Sequence, residues 1–159
     1  EGRLYPQGKK DIVHLVHALL TLVIACAAEE LAPGIFGVGL PVLLSSSLYC
    51  AINRKPLEGI LFALAAGAAE DSVASLPLAS SVSFFVVAGA LFRGFKLSPF
   101  AAPAVYPVYQ FWVWAWLGSA MQGNILLRML AAFPVGAMVF SLVWFFLRWL
   151  DGKAALDEK

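Results

Sequence analysis

The stretch Ile125–Leu147 reads ILLRMLAAFPVGAMVFSLVWFFL, 23 residues with one charge, Arg128. A helix needs about 20 apolar residues to cross the hydrocarbon core of a bilayer. This run therefore reads as a membrane-spanning helix, and the chain before it divides the same way. Gln122-Gly123-Asn124 turns the chain into it from an apolar run at 98–120. Arg93-Gly94-Phe95-Lys96 separates that run from one at 76–92. Earlier runs at 57–71, 35–52 and 12–28 are bounded by Asn53-Arg54-Lys55-Pro56 and by Glu29-Glu30 with Pro33-Gly34. Turn formers and charges are the expected punctuation between spans. The expectation is an all-α integral membrane protein with six transmembrane helices, built as one domain over residues 1–159.

Composition agrees. The chain has 159 residues, 61% hydrophobic and 13% charged, where a soluble chain is roughly half apolar and about a quarter charged. A single domain of this length has too little interior to hide so much apolar surface. Disorder, a disulfide scaffold, a coiled coil and a basic nucleic-acid binder are excluded. The runs are continuous, whereas the strands of a membrane barrel alternate apolar and polar residues over about 10 positions. In a bilayer only helices and closed barrels satisfy their own backbone, so helices remain. The first run reads as a retained helix, because Ala27-Ala28 leads into Glu29-Glu30 rather than a cleavage site.

The net charge of +1 hides a pattern. With six alternating crossings, Arg3, Lys9, Lys10, Arg54, Lys55, Arg93, Lys96, Arg148, Lys153 and Lys159 share the side of the N-terminus, and only Arg128 falls opposite. Basic residues in short loops stay cytoplasmic, so both termini are expected in the cytoplasm. Glu29, Glu30, Glu70 and Asp71 then lie at the outer side, in loops without a basic residue. An odd number of crossings breaks this alternation.

The third run is short. Leu57–Ala69 gives about 20 Å of helix against a hydrocarbon core of roughly 30 Å. Either the bilayer thins there, or the helix continues past Glu70 and Asp71 and carries two carboxylates to membrane depth. Ionisable residues at that depth are functional by default. The plainer reading is a pair of outer charges in water, with Asp71-Ser72 placed to cap the next helix. Glu29-Glu30 reads as an outer cap-and-loop acidic pair, and Arg128 is a pairing candidate for Glu29, Glu30, Glu70 or Asp71.

Other residues carry weaker signals. Ala63, Ala65, Ala66, Gly67, Ala68 and Ala69 allow close helix approach, which suggests a central third helix. Pro99, Pro103 and Pro107 predict a kinked or irregular start to the fifth helix. Tyr106, Tyr109, Trp112, Trp114 and Trp116 suit an interfacial belt, a cofactor wall or a partner surface. His14 and His17 share a helix face, but with no third ligand in pattern they read as interhelical hydrogen-bonding groups. Cys26 and Cys50 read as packed thiols. There is no GxSxG, CxxC or P-loop. The expectation is a protein that is not an enzyme, with no catalytic residue, metal or cofactor.

The stretch Gly67-Ala68-Ala69-Glu70-Asp71-Ser72-Val73-Ala74-Ser75-Leu76-Pro77-Leu78 resembles the rod shape-determining MreD family. That family has a similar small-residue helix, an Asp, a Ser-x-Pro-Leu-type turn and an apolar helix ending in basic residues, here Arg93 and Lys96. The resemblance runs roughly from Leu57 to Leu150. Ala79 and Glu70 depart from it, standing where glycine and an uncharged residue are commoner. It implies a multi-pass scaffold subunit of the bacterial inner (cytoplasmic) membrane in the cell-elongation machinery of peptidoglycan synthesis. The implied partner is MreC, linked onward to MreB, RodA and a penicillin-binding transpeptidase, with lipid around the bundle and no nucleic acid. Gly67, Glu70, Asp71, Ser75, Pro77 and Leu78 are the implied partner or structural motif, with Asp71 as its polar anchor.

The family's fold also resembles the S components of energy-coupling-factor transporters. The alternative is therefore a small-molecule (vitamin) binding subunit with a pocket near Glu70, Asp71 and the aromatics. Ala18 and Ala25 in the first run are a poor match to the small-residue docking pattern of S components. A third reading, an enzyme acting on lipid-linked substrates, would use Glu70 or Asp71 as base.

Overall fold

The computed structural model describes residues 7–36, 39–77, 79–117 and 124–156. Among these residues there are six α-helices and no strand. They are α1 (Gln7–Phe36), α2 (Val42–Asn53), α3 (Pro56–Val73), α4 (Ser80–Gly94), α5 (Val105–Leu117) and α6 (Ile125–Leu156). A 3-10 segment, Pro99–Ala104, leads into α5. It answers the expected irregular start: three prolines deny the backbone the donors of a continuous α-helix.

Several boundaries differ from expectation. α1 does not stop at Ala28 but continues through Glu29, Glu30 and Pro33 to Phe36. Glu29 is no loop residue; it faces the bundle and is 7% exposed. α2 begins at Val42, not at Ile35, and has only 12 residues, about 18 Å. α3 runs past both Glu70 and Asp71, so the helix continues beyond its short apolar run. α6 passes Leu147 and carries Arg148 and Asp151 in helix.

The centre of the bundle is α2 rather than α3. Every residue from Leu43 to Ala51 is buried, and α2 packs on α1, α3, α4 and α6. Its polar residues are compatible with that position because they are small: Ser45, Ser46 and Ser47 are all within 3% exposure, and Ser45 Oγ returns its proton to the Pro41 carbonyl at 2.6 Å. Leu43, Leu48, Phe62, Phe85, Tyr109 and Phe140 build the core around it.

α3 is tightly packed, as its small residues suggest, but against α4. A Cβ on Gly67 would lie 2.5 Å from Val82 Cα and 2.7 Å from Val82 N. Only hydrogen fits there, so glycine sets the α3–α4 distance. Both helices end the same way. Leu76 N–H bonds the Asp71 carbonyl, and Leu97 N–H the Phe92 carbonyl, across Ser75 at φ 52 and Lys96 at φ 48. These are Schellman caps, which favour glycine at the left-handed position; here Ser and Lys occupy it.

The exterior is apolar. α1 and α6 contain stretches, Leu15–Ile35 and Ile125–Gly152, long and apolar enough to cross a membrane. Only 17% and 28% of their most apolar parts are buried, so neither is the inner helix of a larger core. Ile35, Leu130 and Phe145 are each about 70% exposed. Exposed apolar surface on this scale marks a membrane or partner contact.

The ends of α2, α4 and α6 meet. Arg54, just past α2, pairs with Asp151 of α6. Tyr49 also donates to Asp151, at 2.7 Å. Arg93 of α4 donates to the Ala51 and Arg54 carbonyls at 3.1 and 2.8 Å. The opposite end gathers Glu29, Glu70 and Asp71 around the starts of α2 and α4.

Candidate functional site

Helix beginnings leave backbone N–H groups without partners. At the acidic end two are satisfied by carboxylates from other helices. α2 has Pro41 at its N-cap and no side-chain cap of its own; Glu29 Oε1, reaching from α1, accepts from Leu43 N–H at 2.8 Å. α4 has Ala79 at its N-cap, at φ 70 and also without a side-chain acceptor. Asp71 of α3 supplies one. Its Oδ1 accepts from Ser81 N–H and Ser80 Oγ, both at 2.8 Å. The negative carboxylate also suits the positive end of the helix dipole. Asp71 is 4% exposed, so its contacts lie within the chain.

α5 closes the site. Tyr109 donates to Glu70 Oε1 at 3.2 Å and lies 2.7 Å from Ser81 Oγ. A phenol has one hydrogen, so the Ser81 hydroxyl donates to Tyr109. Phe84 and Phe85 flank the Tyr109 ring with centroids 5.1 and 5.6 Å away. Trp112 Nε1 donates to the Ser80 carbonyl at 2.9 Å. α3, α4 and α5 are thus joined by one run of polar contacts through Asp71, Ser80, Ser81, Tyr109 and Glu70.

Beside it lies a cavity of about 230 Å³, lined by Glu29 and Glu70, by Tyr106, Tyr109 and Gln110, and by apolar residues of α1, α2 and α3. Glu29 Oε2 and Glu70 Oε2 are buried and have no hydrogen-bond donor among the described residues. No basic residue lines the cavity among the described residues.

Of the residues singled out in the sequence, Glu29, Glu70 and Asp71 come together with Tyr109. Gly67 sits one helical turn before Glu70 as the α3–α4 contact. Ser75 contributes its backbone conformation, and Pro77 accepts from Ser80 N–H through its carbonyl. Leu78 lies outside the described residues, as do the side chain of His14 and the turn residues Gln122 and Gly123. Glu30 is exposed. Arg128 is exposed on the first turn of α6. The expected pairing of Arg128 with Glu29, Glu30, Glu70 or Asp71 does not form among the described residues: Glu29 and Asp71 turn inward to helix starts and Glu70 to Tyr109, while Glu30 and Arg128 are exposed. Trp112 and Tyr109 do not serve only a surface belt, since both bond inside the bundle.

Sequence reasoning missed Ser80 and Ser81 as partners of Asp71, and Asp151 as partner of Arg54. The serine signal was readable in principle, because a buried carboxylate ahead of a turn needs donors, and Ser80-Ser81 open the next helix. For Asp151 there was no local signal; its partner is 97 residues away.

The fold and this site define an all-helical bundle with two helices long and apolar enough to cross a membrane and with carboxylates buried at one end. No protein-family model, no curated protein and no solved structure matches the chain.

Proposed function

We propose that this chain is a six-span scaffold subunit of the bacterial inner membrane, with both termini cytoplasmic, that works by docking a partner's membrane helix. On the resemblance to the MreD family, the partner is MreC, and the role is to couple it to MreB filaments, RodA and a penicillin-binding transpeptidase. The supporting observation is that the stretch carrying the resemblance is a built joint. Gly67 admits α4 to backbone contact, and Asp71 caps α4. The joint fixes α3 against α4. Their outer face carries a shallow groove of about 250 Å³ lined by Gly59, Ile60, Ala63, Val86, Gly89 and Ala90 among others. Small residues allow a second helix to approach closely in a membrane, where packing drives association.

The six crossings are supported by Arg54 and Arg93 lying together at one end, the end that the positive-inside rule assigns to the cytoplasm. Short α2 is compatible with a bilayer because it is enclosed by other helices and meets no lipid.

The test is affinity purification from mild detergent with identification of bound proteins. The wild-type chain is expected to retain an MreC-like single-pass protein. Ala90→Leu fills the groove from an exposed position; it should reduce that retention at least fivefold while the chain still inserts. Recovery of no such protein with the wild type, or full recovery with Ala90→Leu, contradicts the scaffold reading or its docking face respectively. The alternative, an S-component-like vitamin-binding subunit, draws its support from the cavity beside Glu29 and Glu70. It requires co-purification of a transporter ATPase module instead.

A further inference from the structure

We infer that the cavity between Glu29, Glu70 and Tyr109 is a binding site for a primary ammonium group carried on a short alkyl body. The inference goes beyond the scaffold reading and does not depend on it.

The starting point is two oxygens without partners. Glu29 is 7% exposed. Its Oε1 is taken by Leu43 N–H, while its Oε2 is buried, accepts no hydrogen bond among the described residues and lies close to the Glu70 carboxyl. Glu70 repeats the arrangement from α3: Oε1 accepts from Tyr109, and Oε2 is buried and unbonded. Both residues line the same cavity. Burying a polar oxygen away from water without a partner is costly. Native structures seldom leave such groups unanswered. Here two converge on one space from different helices, and each is fixed in place by the hydrogen bond of its other oxygen. A site held ready in this way spends little of its binding on ordering itself.

The chemistry of the lining selects the ligand. The free groups are acceptors: two carboxylate oxygens, with the Gly39 carbonyl nearby holding Tyr106. An ammonium has three donors and no acceptor, and so matches them. Apart from the Gln110 amide, the remaining walls are apolar, among them Pro33, Leu40, Leu44 and Val73, and they favour an alkyl body over a hydrated metal ion. Among the described residues no group of three His, Cys, Asp or Glu is placed to hold a metal. The volume of about 230 Å³ falls below the roughly 300–1,000 Å³ of drug-sized sites, so the ligand is small. A free alkylamine and the ethanolamine headgroup of a phospholipid present the same ammonium.

The experiment uses the full chain, purified in maltoside detergent and also reconstituted in nanodiscs. Ethylammonium is titrated calorimetrically, with n-propanol as a neutral probe of like size. Saturable binding of ethylammonium, none of n-propanol, and at least tenfold weaker binding in both Glu29→Gln and Glu70→Gln are expected. Both variants keep the oxygen that accepts from Leu43 or Tyr109; circular dichroism and gel filtration report whether the fold survives. Binding in detergent assigns a free amine. Ethylammonium that instead displaces phosphatidylethanolamine from protein in nanodiscs of that lipid, but not from phosphatidylglycerol nanodiscs, assigns the headgroup. Absence of saturable binding in both arms overturns the inference and leaves the carboxyl groups sharing only a proton. Equal binding of n-propanol overturns it without recourse to any variant.

Discussion

Asp71 acts inside the bundle rather than at its surface. With a single oxygen it holds Ser80 Oγ and Ser81 N–H. Asp71→Ala leaves both donors buried without an acceptor. Each such loss costs about 1–3 kcal/mol, so the variant should be destabilised by at least about 2 kcal/mol against denaturant in mixed micelles. Asp71→Asn retains an acceptor and should lose less than half as much. Equal losses contradict the capping role. This has a consequence for the scaffold reading: a partner-binding defect in Asp71→Ala would report a displaced α4, so Ala90→Leu is the cleaner probe of the docking face. The importance of Asp71 was legible from its place beside a small-residue helix. Its donors were not, because the serines that satisfy it lie beyond a turn whose geometry depends on Ser75 and Ala79 in the left-handed region.

At the scale of elements, the hydrophobic runs located the helices but not their ends. Charges were read as stops for α1 and α6, and the chain instead buries Glu29 and bonds Asp151 within the bundle. A buried carboxylate that caps a neighbouring helix cannot be told from an exposed one by local sequence, since the deciding partner is remote. The same limit hid the centrality of α2. Its apolar content resembles that of its neighbours, and only its short length sets it apart. Where local chemistry decides, the reading was sharper: three prolines announced the irregular entry to α5. The α3 terminus gives a second test of local chemistry. Ser75 holds φ 52, a conformation that costs a non-glycine residue about 1–2 kcal/mol. Ser75 is exposed and no bond of its side chain is at stake. Ser75→Gly should therefore stabilise the chain by about 1 kcal/mol, after some loss to the greater freedom of glycine in the unfolded state. A lower unfolding midpoint in mixed micelles contradicts the Schellman assignment.

For the whole molecule, the account rests on polarity of two kinds. Apolar side chains face outward along α1 and α6, and charge is segregated between the ends. On the proposed membrane reading both follow together: lipid would cover the exterior, and the end carrying Arg54 and Arg93 would stay in the cytoplasm. On that reading the acidic cavity would lie toward the outer face, and a partner's helix would reach the α3–α4 groove laterally. All of this depends on how the bundle is threaded. Site-specific labelling with a membrane-impermeant maleimide tests that most directly, in a background with Cys26 and Cys50 replaced. Ala74→Cys, in the turn after α3, should react in intact cells. Gly94→Cys, at the end of α4, should react only after permeabilisation. Labelling of both positions from the same side, or of Gly94→Cys alone in intact cells, contradicts the six-span arrangement with an outward acidic end.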